Sequence, residues 1–347
     1  MAVIDADCHT IETEETWTYM TGEDEQYRPR VLASVGPRRE EKWFFDSELA
    51  NKRAFPPDRS KVSAESAQMQ DIPGRLKDMD GLGVDVQVLY PTVLLGVAAL
   101  ARRETQAAMC RAYNRWVADR VKGANGRLRW IAALPTETMD VALEELEWCK
   151  AGGASGVLMH GLLRDRTVVD SYYYPLYSAA EAMDLPITIH SGISNHSFDG
   201  IFHSRATGIW AAKFPVIGSM HALFQSGIPA RYPRLRWGFI EAAASWVPYL
   251  LTDLTARAER MGRLGGAFNA QDALRRNRFF VTCQTEEDLP YIIRWAGEDN
   301  LVIGSDYSHA DTSSQLEALR ILNHREDITP GQKKKILEDN PAALYGI

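Results

Sequence analysis

The chain has 347 residues, 45 % of them hydrophobic and 24 % charged, which is typical of a soluble globular protein with two average domains or one large α/β barrel. A formal net charge of −7 argues against a nucleic-acid-binding surface, and no apolar run reaches the ~18 residues that span a bilayer. Four cysteines lie far apart and the first residues do not resemble a leader, so we expect reduced thiols and a cytoplasmic location.

The first predicted strand, residues 2–8, runs into acids and a histidine. Residues two apart on a strand face the same side, so Asp5, Asp7 and His9 are expected to share one face. Burying an unpaired carboxylate is costly, so this face needs a partner, most simply a cation. A surface turn with a capping aspartate is the alternative reading of this stretch. Cys8 should point the other way, and Asp5 should be buried and hydrogen-bonded rather than a ligand.

A long connection, from about residue 12 to residue 72, follows the first strand, and loops of this length are usually functional or disordered. Its aromatic run at residues 43–45 suggests a small folded cap. Arginines on or near this connection are candidates to hold an anionic, flat acid, although a solvated surface role is the plainer reading of each. They are Arg28, Arg30, Arg53 and Arg75.

Seven further apolar runs follow, separated by helical patterns. The strands are predicted at 85–92, 128–135, 154–160, 186–192, 235–242, 278–284 and 301–308, and the helices at 104–122, 139–151, 175–183, 246–263 and 289–296. Alternating strands and helices form parallel sheets, and continuously apolar strands are buried on both faces. Eight such units predict one (β/α)8 TIM-barrel domain over residues 1–347. No glycine-rich phosphate loop follows any of these strands.

Five of the predicted strands end in residue types that bind metals. These are Asp7 and His9, then His160, His190, Glu241 and Asp306. Parallel strand ends converge at one rim of a barrel, where uncompensated acids would repel each other. A divalent cation removes this repulsion, and imidazoles together with carboxylates suit zinc, manganese or iron. The strand ends therefore predict a metal site.

The ordered set of motifs resembles the amidohydrolase superfamily, in the branch around aminocarboxymuconate-semialdehyde decarboxylase and the hydroxybenzoate decarboxylases. The motifs are IDADCHTIE, RLKDMDGLGVDVQVLYPT, YNRW with RLRWIAALP, PLYSAAEAMDLPITIHSG, RYPRLRWGFIEAAASWVPYLLTDL, VIGSDYSH and ILEDNPAALYGI. The resemblance implies an eight-stranded barrel and one divalent metal held by the first-strand pair, the fifth-strand histidine and the eighth-strand aspartate. On this chain those residues are Asp7, His9, His190 and Asp306. A homo-oligomer is also implied.

Two positions depart from the family pattern. The first-strand motif is commonly HxH or ExH, whereas this chain has Asp7 before His9. The decarboxylases generally carry a proton-donating histidine at the end of strand six, where this chain has Glu241. Strand four also lacks the lysine that is carbamylated in dinuclear hydrolases.

We therefore expect a metal-dependent enzyme that acts on a small organic acid, aromatic or carboxylate-bearing, by hydrolysis or by non-oxidative decarboxylation. Asp306 would bind the metal and carry the proton, and Glu241 would act as a base or a further ligand. His160 would orient the substrate, and His309 would fix the Asp306 carboxylate.

Two alternatives stay open. One is a dinuclear non-heme iron hydroxylase that uses O2, with Glu241 and His221, His196 or His203 completing a second metal site. The other is a non-catalytic or partner subunit on the same fold. One metal ion per chain is the expectation for the hydrolase or decarboxylase, and two for the hydroxylase.

Overall fold

The predicted strands form a parallel barrel in a computed structural model that describes residues 2–34, 41–52, 62–97, 101–192, 195, 212–261, 268–310 and 313–347. The strands are β1 (Ile4–His9), β2 (Arg30–Ala33), β3 (Glu41–Phe45), β4 (Glu48–Asn51), β5 (Val86–Tyr90), β6 (Leu128–Trp130), β7 (Ala132–Ala133), β8 (Val157–His160), β9 (Leu162–Leu163), β10 (Arg166–Thr167), β11 (Ile187–His190), β12 (Trp237–Ile240), β13 (Phe279–Cys283) and β14 (Leu301–Ile303).

The barrel order follows the chain. Parallel ladders join β1 to β5 and β6, and then β7, β8, β11, β12, β13 and β14. Because β6 and β7 flank Ile131, they are two parts of the third barrel strand. The backbone N–H of Asp306 donates to Asp7 O, and that of His9 donates to Tyr307 O, both at 2.9 Å, which closes the barrel between its eighth and first strands. The eight predicted strands and the TIM-barrel fold are confirmed.

Helices surround the barrel, and the last of them packs Leu344 and Tyr345 with the apolar residues that fill it. They are α1 (Ala64–Ala67), α2 (Ile72–Leu82), α3 (Leu94–Val97), α4 (Arg103–Arg120), α5 (Met139–Ala151), α6 (Tyr174–Ala182), α7 (Phe214–Ser226), α8 (Ile228–Arg231), α9 (Val247–Met261), α10 (Ala270–Asn277), α11 (Leu289–Ala296), α12 (Ala318–His324), α13 (Pro330–Lys334) and α14 (Asn340–Tyr345). The five predicted helices are confirmed as α4, α5, α6, α9 and α11. Helix α2 is among the helices that were not predicted, because Pro73 and two glycines obscure its apolar pattern, and α10 is only eight residues long.

Strand β1 contains a β-bulge that corrects one expectation. Its register with β5 shifts between Asp5 and Cys8, so the strand carries one extra residue there. Before the shift, Ile4 and Ala6 pack with the apolar residues that fill the barrel, whereas Asp5 is in register with Gln87 on the helix-facing side. Asp5 therefore does not share a face with Asp7 and His9, because the bulge changes the alternation. As expected, Asp5 is fully buried and hydrogen-bonded, accepting from the backbone N–H and hydroxyl of Ser305.

The first long connection contains a small antiparallel sheet in the order β2-β3-β4. Its inner face buries Trp43 and Phe45, and the Trp43 ring packs edge-on against Trp17 at 5.9 Å. The Asp46 carboxylate accepts from the backbone and side chain of Arg102, just before α4. Because α4 begins after the carboxyl end of β5, this contact lies towards the rim that carries the strand ends. That residues 12–72 act as a cap over a substrate stays a prediction.

Among the described residues, none of the helices combines the length and the apolar character required to cross a membrane. The four cysteines, Cys8, Cys110, Cys149 and Cys283, are buried and form no disulfide. Their state agrees with the expectation of reduced thiols.

We predict that Gly304→Ala destabilises the protein, because a Cβ atom at Gly304 would lie 2.3 Å from Asp7 Cβ and 2.9 Å from Asp7 N. Overpacking of this kind typically lowers the free energy of unfolding by about 1–3 kcal/mol, measurable by urea denaturation. Gly218→Ala in α7 is the control, because its Cβ would meet no atom within 4 Å and alanine favours the helix. Equal unfolding midpoints for Gly304→Ala and the wild type would contradict the close approach of β1 and β14.

Candidate metal centre

The barrel rim brings the predicted ligands together from four strands. Two groups of side chains each place their ligand atoms within 4.8 Å of one another, and they share His9. The first group contains Asp7, His9, His190 and Glu241, and the second contains His9, Asp306 and His309. Glu241 is half-buried and the other members are buried. Every one of the four residues assigned as ligands from the resemblance belongs to this cluster.

The ring of His9 is oriented by a backbone carbonyl. Its Nδ1 lies 2.9 Å from Pro91 O, which can only accept, so Nδ1 carries the hydrogen and donates it. In the neutral ring Nε2 then carries a lone pair. This buried Nε2 lies 3.4 Å from Asp7 Oδ1 and 3.5 Å from Asp306 Oδ1, and it has no hydrogen-bond partner in the described part of the chain.

His190 has the same arrangement. Its Nδ1 donates to Ser191 O at 2.8 Å, and its Nε2 lies 3.2 Å from Asp7 Oδ1. In the neutral ring this contact also sets a lone pair against a carboxylate oxygen. Contacts between two acceptors are repulsive unless a proton or a cation lies between them.

The pKa values of the two histidines differ. Burial lowers the pKa of His9 to about 4, with the neighbouring His309 contributing in the same direction, so His9 is neutral near pH 7. For His190 burial also acts to lower the pKa, but the Asp7 carboxylate outweighs it and raises the value to about 9. Burial would raise the pKa of Asp7, but His190 and His9 hold it below its usual range. A proton can therefore bridge His190 and Asp7, whereas His9 Nε2 is left facing two carboxylates.

This donor set fits a divalent ion. Once His190 has given up its proton, two imidazole nitrogens and several carboxylate oxygens are available, and these are ligands of zinc, manganese and iron. The described cluster contains no thiolate of the kind found in structural zinc sites. An ion in the cluster would replace the repulsion at His9 Nε2 by attraction. The residues present therefore suit a single divalent metal ion.

Asp306 is held by the predicted His309 and by hydroxyl groups that the sequence did not reveal. Ser314 Oγ donates to Asp306 Oδ2 at 2.5 Å, and His309 Nδ1 lies 2.7 Å from Asp306 Oδ1. The hydroxyl of Thr92 lies 2.9 Å from His309 Nε2, and the His309 ring stacks on His9 at 3.9 Å. The expected contact of His309 with the carboxylate is thus present. Thr92 and Ser314 carry no signal in the sequence, because ordinary hydroxyl residues become significant only through this contact.

Glu241 follows β12 in a left-handed backbone conformation, with φ of 59°, which is uncommon for a residue other than glycine. Its N–H donates to Thr282 Oγ1 at 2.8 Å, and its carboxylate accepts from Ser191 Oγ at 2.9 Å. Glu287 holds the segment that follows, because its carboxylate accepts from the backbone N–H groups of Ala244 and Ser245. Glu241 Oε2 lies 3.4 Å from His190 Nδ1.

His160 lies beside the cluster, in register with His190 on the neighbouring strand. Its Nε2 is 3.2 Å from Leu95 O, and burial lowers the pKa of the ring to about 4. One side of His160 lines a largely apolar pocket between the third and fourth barrel strands and α4. The other lining residues include Leu94, Gln106, Cys110, Ala133, Leu134, Leu158, Leu163 and Tyr173.

His221 lies outside both groups of the cluster. It is on α7, in a helix as expected, but its Nε2 faces Asp253 at 3.4 Å and its side chain is 31 % exposed. Glu241 and His221 are therefore not brought together, because α7 turns this histidine towards α9 rather than the strand ends. His196 and His203 lie outside the described residues.

The four candidate arginines have different surroundings. Arg28 donates to Met20 O, and both Arg28 and Arg30 are exposed. Arg53 lies outside the described residues. Arg75 is fully buried behind β1, so the expectation that it holds a substrate is wrong for this residue.

Comparisons with known proteins agree with this picture. The family model described as Amidohydrolase matches residues 4–347. A gamma-resorcylate decarboxylase from Polaromonas sp. strain JS666 is 28 % identical over 209 residues, which cover 57 % of this chain and 63 % of the relative. The match thus spans less than two thirds of that curated relative.

Two solved structures share the fold. An amidohydrolase from Mycobacterium avium subsp. paratuberculosis K-10 has a TM-score of 0.81 at 19 % identity, covering 99 % of both chains. A dihydroxybenzoic acid decarboxylase from Polaromonas sp. JS666, solved with manganese and the inhibitor 2-nitroresorcinol, has a TM-score of 0.67 at 20 % identity, covering 99 % of this chain and 97 % of that one. These comparisons do not support the iron hydroxylase alternative.

We predict that His190→Ala binds Mn²⁺ more weakly, by about tenfold or more, because one nitrogen ligand is lost while the acids remain. Calorimetric titration of chelator-treated protein measures the affinity and the number of ions. His221→Ala is the matched control and should bind as the wild type does. Unchanged binding in His190→Ala would remove His190 from the ligand set. If His221→Ala bound one ion fewer than the wild type, the second metal site with His221 would be supported.

Proposed function

Because the chain belongs to the amidohydrolase family, we propose that it is a metal-dependent enzyme that removes CO2 from an aromatic acid without oxidation. The name of the curated relative, gamma-resorcylate decarboxylase, and the manganese-bound decarboxylase with the same fold support this reaction. The buried cluster at the barrel rim supports the dependence on a metal.

The observation that carries the proposal is the orientation of His9. Its Nε2 lies within 3.5 Å of two carboxylates and is without a hydrogen-bond partner among the described residues. We assign Asp7, His9, His190 and Asp306 as the ligands of one divalent ion, with Glu241 beside them. When bound, the ion would supply positive charge that holds and orients the carboxylate of the substrate.

The chain itself must supply the proton. Decarboxylation adds a proton to the ring carbon that bears the carboxylate, after which the C–C bond breaks, its electron pair returns to the ring and CO2 leaves. We assign the proton transfer to Asp306, because its carboxylate lies at the cluster and contacts His309 and Ser314. With Asp306 as the proton donor, the enzyme does not need the proton-donating histidine that related decarboxylases carry at the end of the sixth barrel strand. In this chain Glu241 occupies that position, after β12. Solvent returns the proton to Asp306 after each turnover.

We place the substrate ring in the pocket beside His160. The pocket is small and lined mainly by apolar side chains, four of them leucines, and it adjoins His160, the neighbour of His190. It has room for about one water molecule, so binding of the ring requires its lining to move apart. His160 would then orient the ring without carrying charge, because burial lowers its pKa to about 4.

The direct test is an assay of Mn²⁺-loaded protein with 2,6-dihydroxybenzoate. We expect one CO2 per substrate consumed, no uptake of O2, and one deuterium in the ring when the solvent is D2O. Oxygen uptake with a hydroxylated product would indicate the hydroxylase instead. Hydrolysis of ester or amide analogues without CO2 release from a panel of benzoic acids would indicate a hydrolase.

A cytoplasmic location and a homo-oligomeric state belong to the same proposal. The buried, unpaired cysteines support a reducing compartment. Sedimentation analysis of the metal-loaded protein tests the oligomer, and a monomer at all concentrations would refute it.

We predict that Asp306→Asn lowers kcat by about 100-fold or more, because general acid catalysis commonly contributes this much and an amide cannot transfer the proton. Asparagine keeps an oxygen in place, so Mn²⁺ measured by elemental analysis should still be bound. Ser314→Ala is the milder companion, because it removes only the hydroxyl contact to the carboxylate. Turnover of Asp306→Asn at the wild-type rate would remove Asp306 from the proton transfer.

We predict that Cys110→Phe raises KM by about tenfold or more, because the larger side chain fills the pocket beside His160. Steady-state kinetics of CO2 release measures the effect, and Mn²⁺ affinity should not change. Cys110→Val, which adds far less volume than phenylalanine, is the control. A KM for Cys110→Phe equal to that of Cys110→Val would show that the ring binds elsewhere.

A further inference from the structure

We propose that Arg75 is a positioning residue that holds together the two strand ends carrying His9 and Asp306. Arg75 lies on α2, outside the barrel, and its side chain is fully buried against β1 and the segment after β14. The inference rests on the proposed function in one respect, namely that a divalent ion occupies the cluster.

The guanidinium of Arg75 contacts both strand ends. Its two terminal nitrogens, Nη1 and Nη2, each donate to the backbone carbonyl of His9 at 3.1 Å. Its Cζ lies 4.2 Å from the ring centroid of Tyr307, the residue that follows Asp306. Because His9 N donates to Tyr307 O at 2.9 Å, the guanidinium spans the junction that closes the barrel.

The orientation of the guanidinium is fixed from β5. Nε of Arg75 donates to Gln87 Oε1 at 2.8 Å, and both side chains are fully buried. Gln87 is in register with Asp5 on β1, before the bulge. The contact with Gln87 on β5 therefore fixes the planar guanidinium while it contacts the ends of the first and eighth barrel strands.

The chemistry of these contacts points to positioning rather than to ion pairing. The hydrogen-bond acceptors of Arg75 in the described part of the chain are neutral, namely an amide oxygen, backbone carbonyls and the sulfur of Met69. A buried guanidinium without a direct counter-ion is costly unless nearby negative charge offsets it. Two acids lie around the same contacts: the Asp78 carboxylate accepts from the Tyr307 hydroxyl at 2.7 Å, and Asp5 is in register with Gln87 on the helix-facing side.

Lysine cannot reproduce this arrangement. Its ammonium keeps the charge, but it lacks the planar fork that can bond Gln87 and His9 together while lying over a ring. Arg75→Lys therefore tests geometry with the charge conserved. Hydrogen bonds to the ligating side chains themselves are usually worth about 10–100-fold in metal affinity, and we expect contacts to the backbone of His9 to act at the lower end of that range.

The experiment titrates Mn²⁺ into chelator-treated protein without substrate and compares wild type, Arg75→Lys and Arg236→Lys. Arg236 is the matched control, because it is also buried and donates to backbone carbonyls, those of Asp184 and Ala343, but at the opposite ends of the strands. We expect Arg75→Lys to raise the Mn²⁺ dissociation constant about tenfold or more, and Arg236→Lys to leave it unchanged. The visible absorption of bound Co²⁺ should shift in Arg75→Lys alone, because the ligand geometry changes.

Gln87→Met keeps the inference testable if Arg75→Lys fails to fold. It removes the acceptor for Arg75 Nε, and Gln87 Nε2 makes no hydrogen bond in the described part of the chain, so little else is lost. A smaller rise in the dissociation constant is expected for this variant. Wild-type Mn²⁺ affinity and Co²⁺ absorption in the folded variants would overturn the positioning role.

These outcomes separate the inference from the proposed function. If Arg75→Lys weakens Mn²⁺ binding but the wild type releases no CO2 from any benzoic acid, Arg75 retains its role and the decarboxylase proposal fails. If the wild type releases CO2 and Arg75→Lys binds Mn²⁺ normally, only the inference about Arg75 fails. A wild-type chain that binds no Mn²⁺ would overturn both.

Discussion

The metal site depends on close contacts between pairs of hydrogen-bond acceptors at the barrel rim, namely histidine Nε2 atoms and carboxylate oxygens. Pro91 O and Ser191 O bind the Nδ1 hydrogens of His9 and His190, which turns both Nε2 atoms towards carboxylates. Such contacts are unfavourable in a buried site unless positive charge lies between the groups. A proton can serve at His190, but the low pKa of His9 leaves a cation as the natural partner there. The proposed chemistry follows from this requirement.

Local irregularities of the barrel strands bring these carboxylates and histidines together at the rim. The bulge in β1 separates the outward-facing Asp5 from Asp7 and His9, and Gly304 leaves space for Asp7 against the eighth strand. Glu241 and Asp306 both have positive φ, a conformation that costs of order 1–3 kcal/mol where it is strained and that surrounding contacts must maintain. Glu287 and Ser314 provide such contacts beside these residues. The contacts made by Glu287 and Ser314 therefore maintain a costly backbone conformation that places the side chains of Glu241 and Asp306 at the site.

Much of this arrangement could be predicted from the sequence. Eight apolar runs gave eight strands because parallel strands buried on both faces must be continuously apolar, and strand-end residues converge in any closed barrel. The bulge could not be predicted, since it depends on how β1 pairs with β5, and it made the shared face of Asp5 a wrong expectation. The surroundings of His221 and Arg75 also depend on tertiary packing, which leaves His221 partly exposed and buries Arg75. Residues such as Thr92 act only through neighbours far away in the chain.

The most direct test of the account is CO2 release from 2,6-dihydroxybenzoate while Mn²⁺ is added stepwise to chelator-treated protein. If one ion in the cluster supports decarboxylation, activity should be absent without metal, rise in proportion to the added Mn²⁺ and level off at one equivalent per chain. Full activity without metal, or no CO2 release although one equivalent is bound, would contradict the account. If activity levelled off only at two equivalents of Mn²⁺ per chain, a second metal ion would also be required for activity.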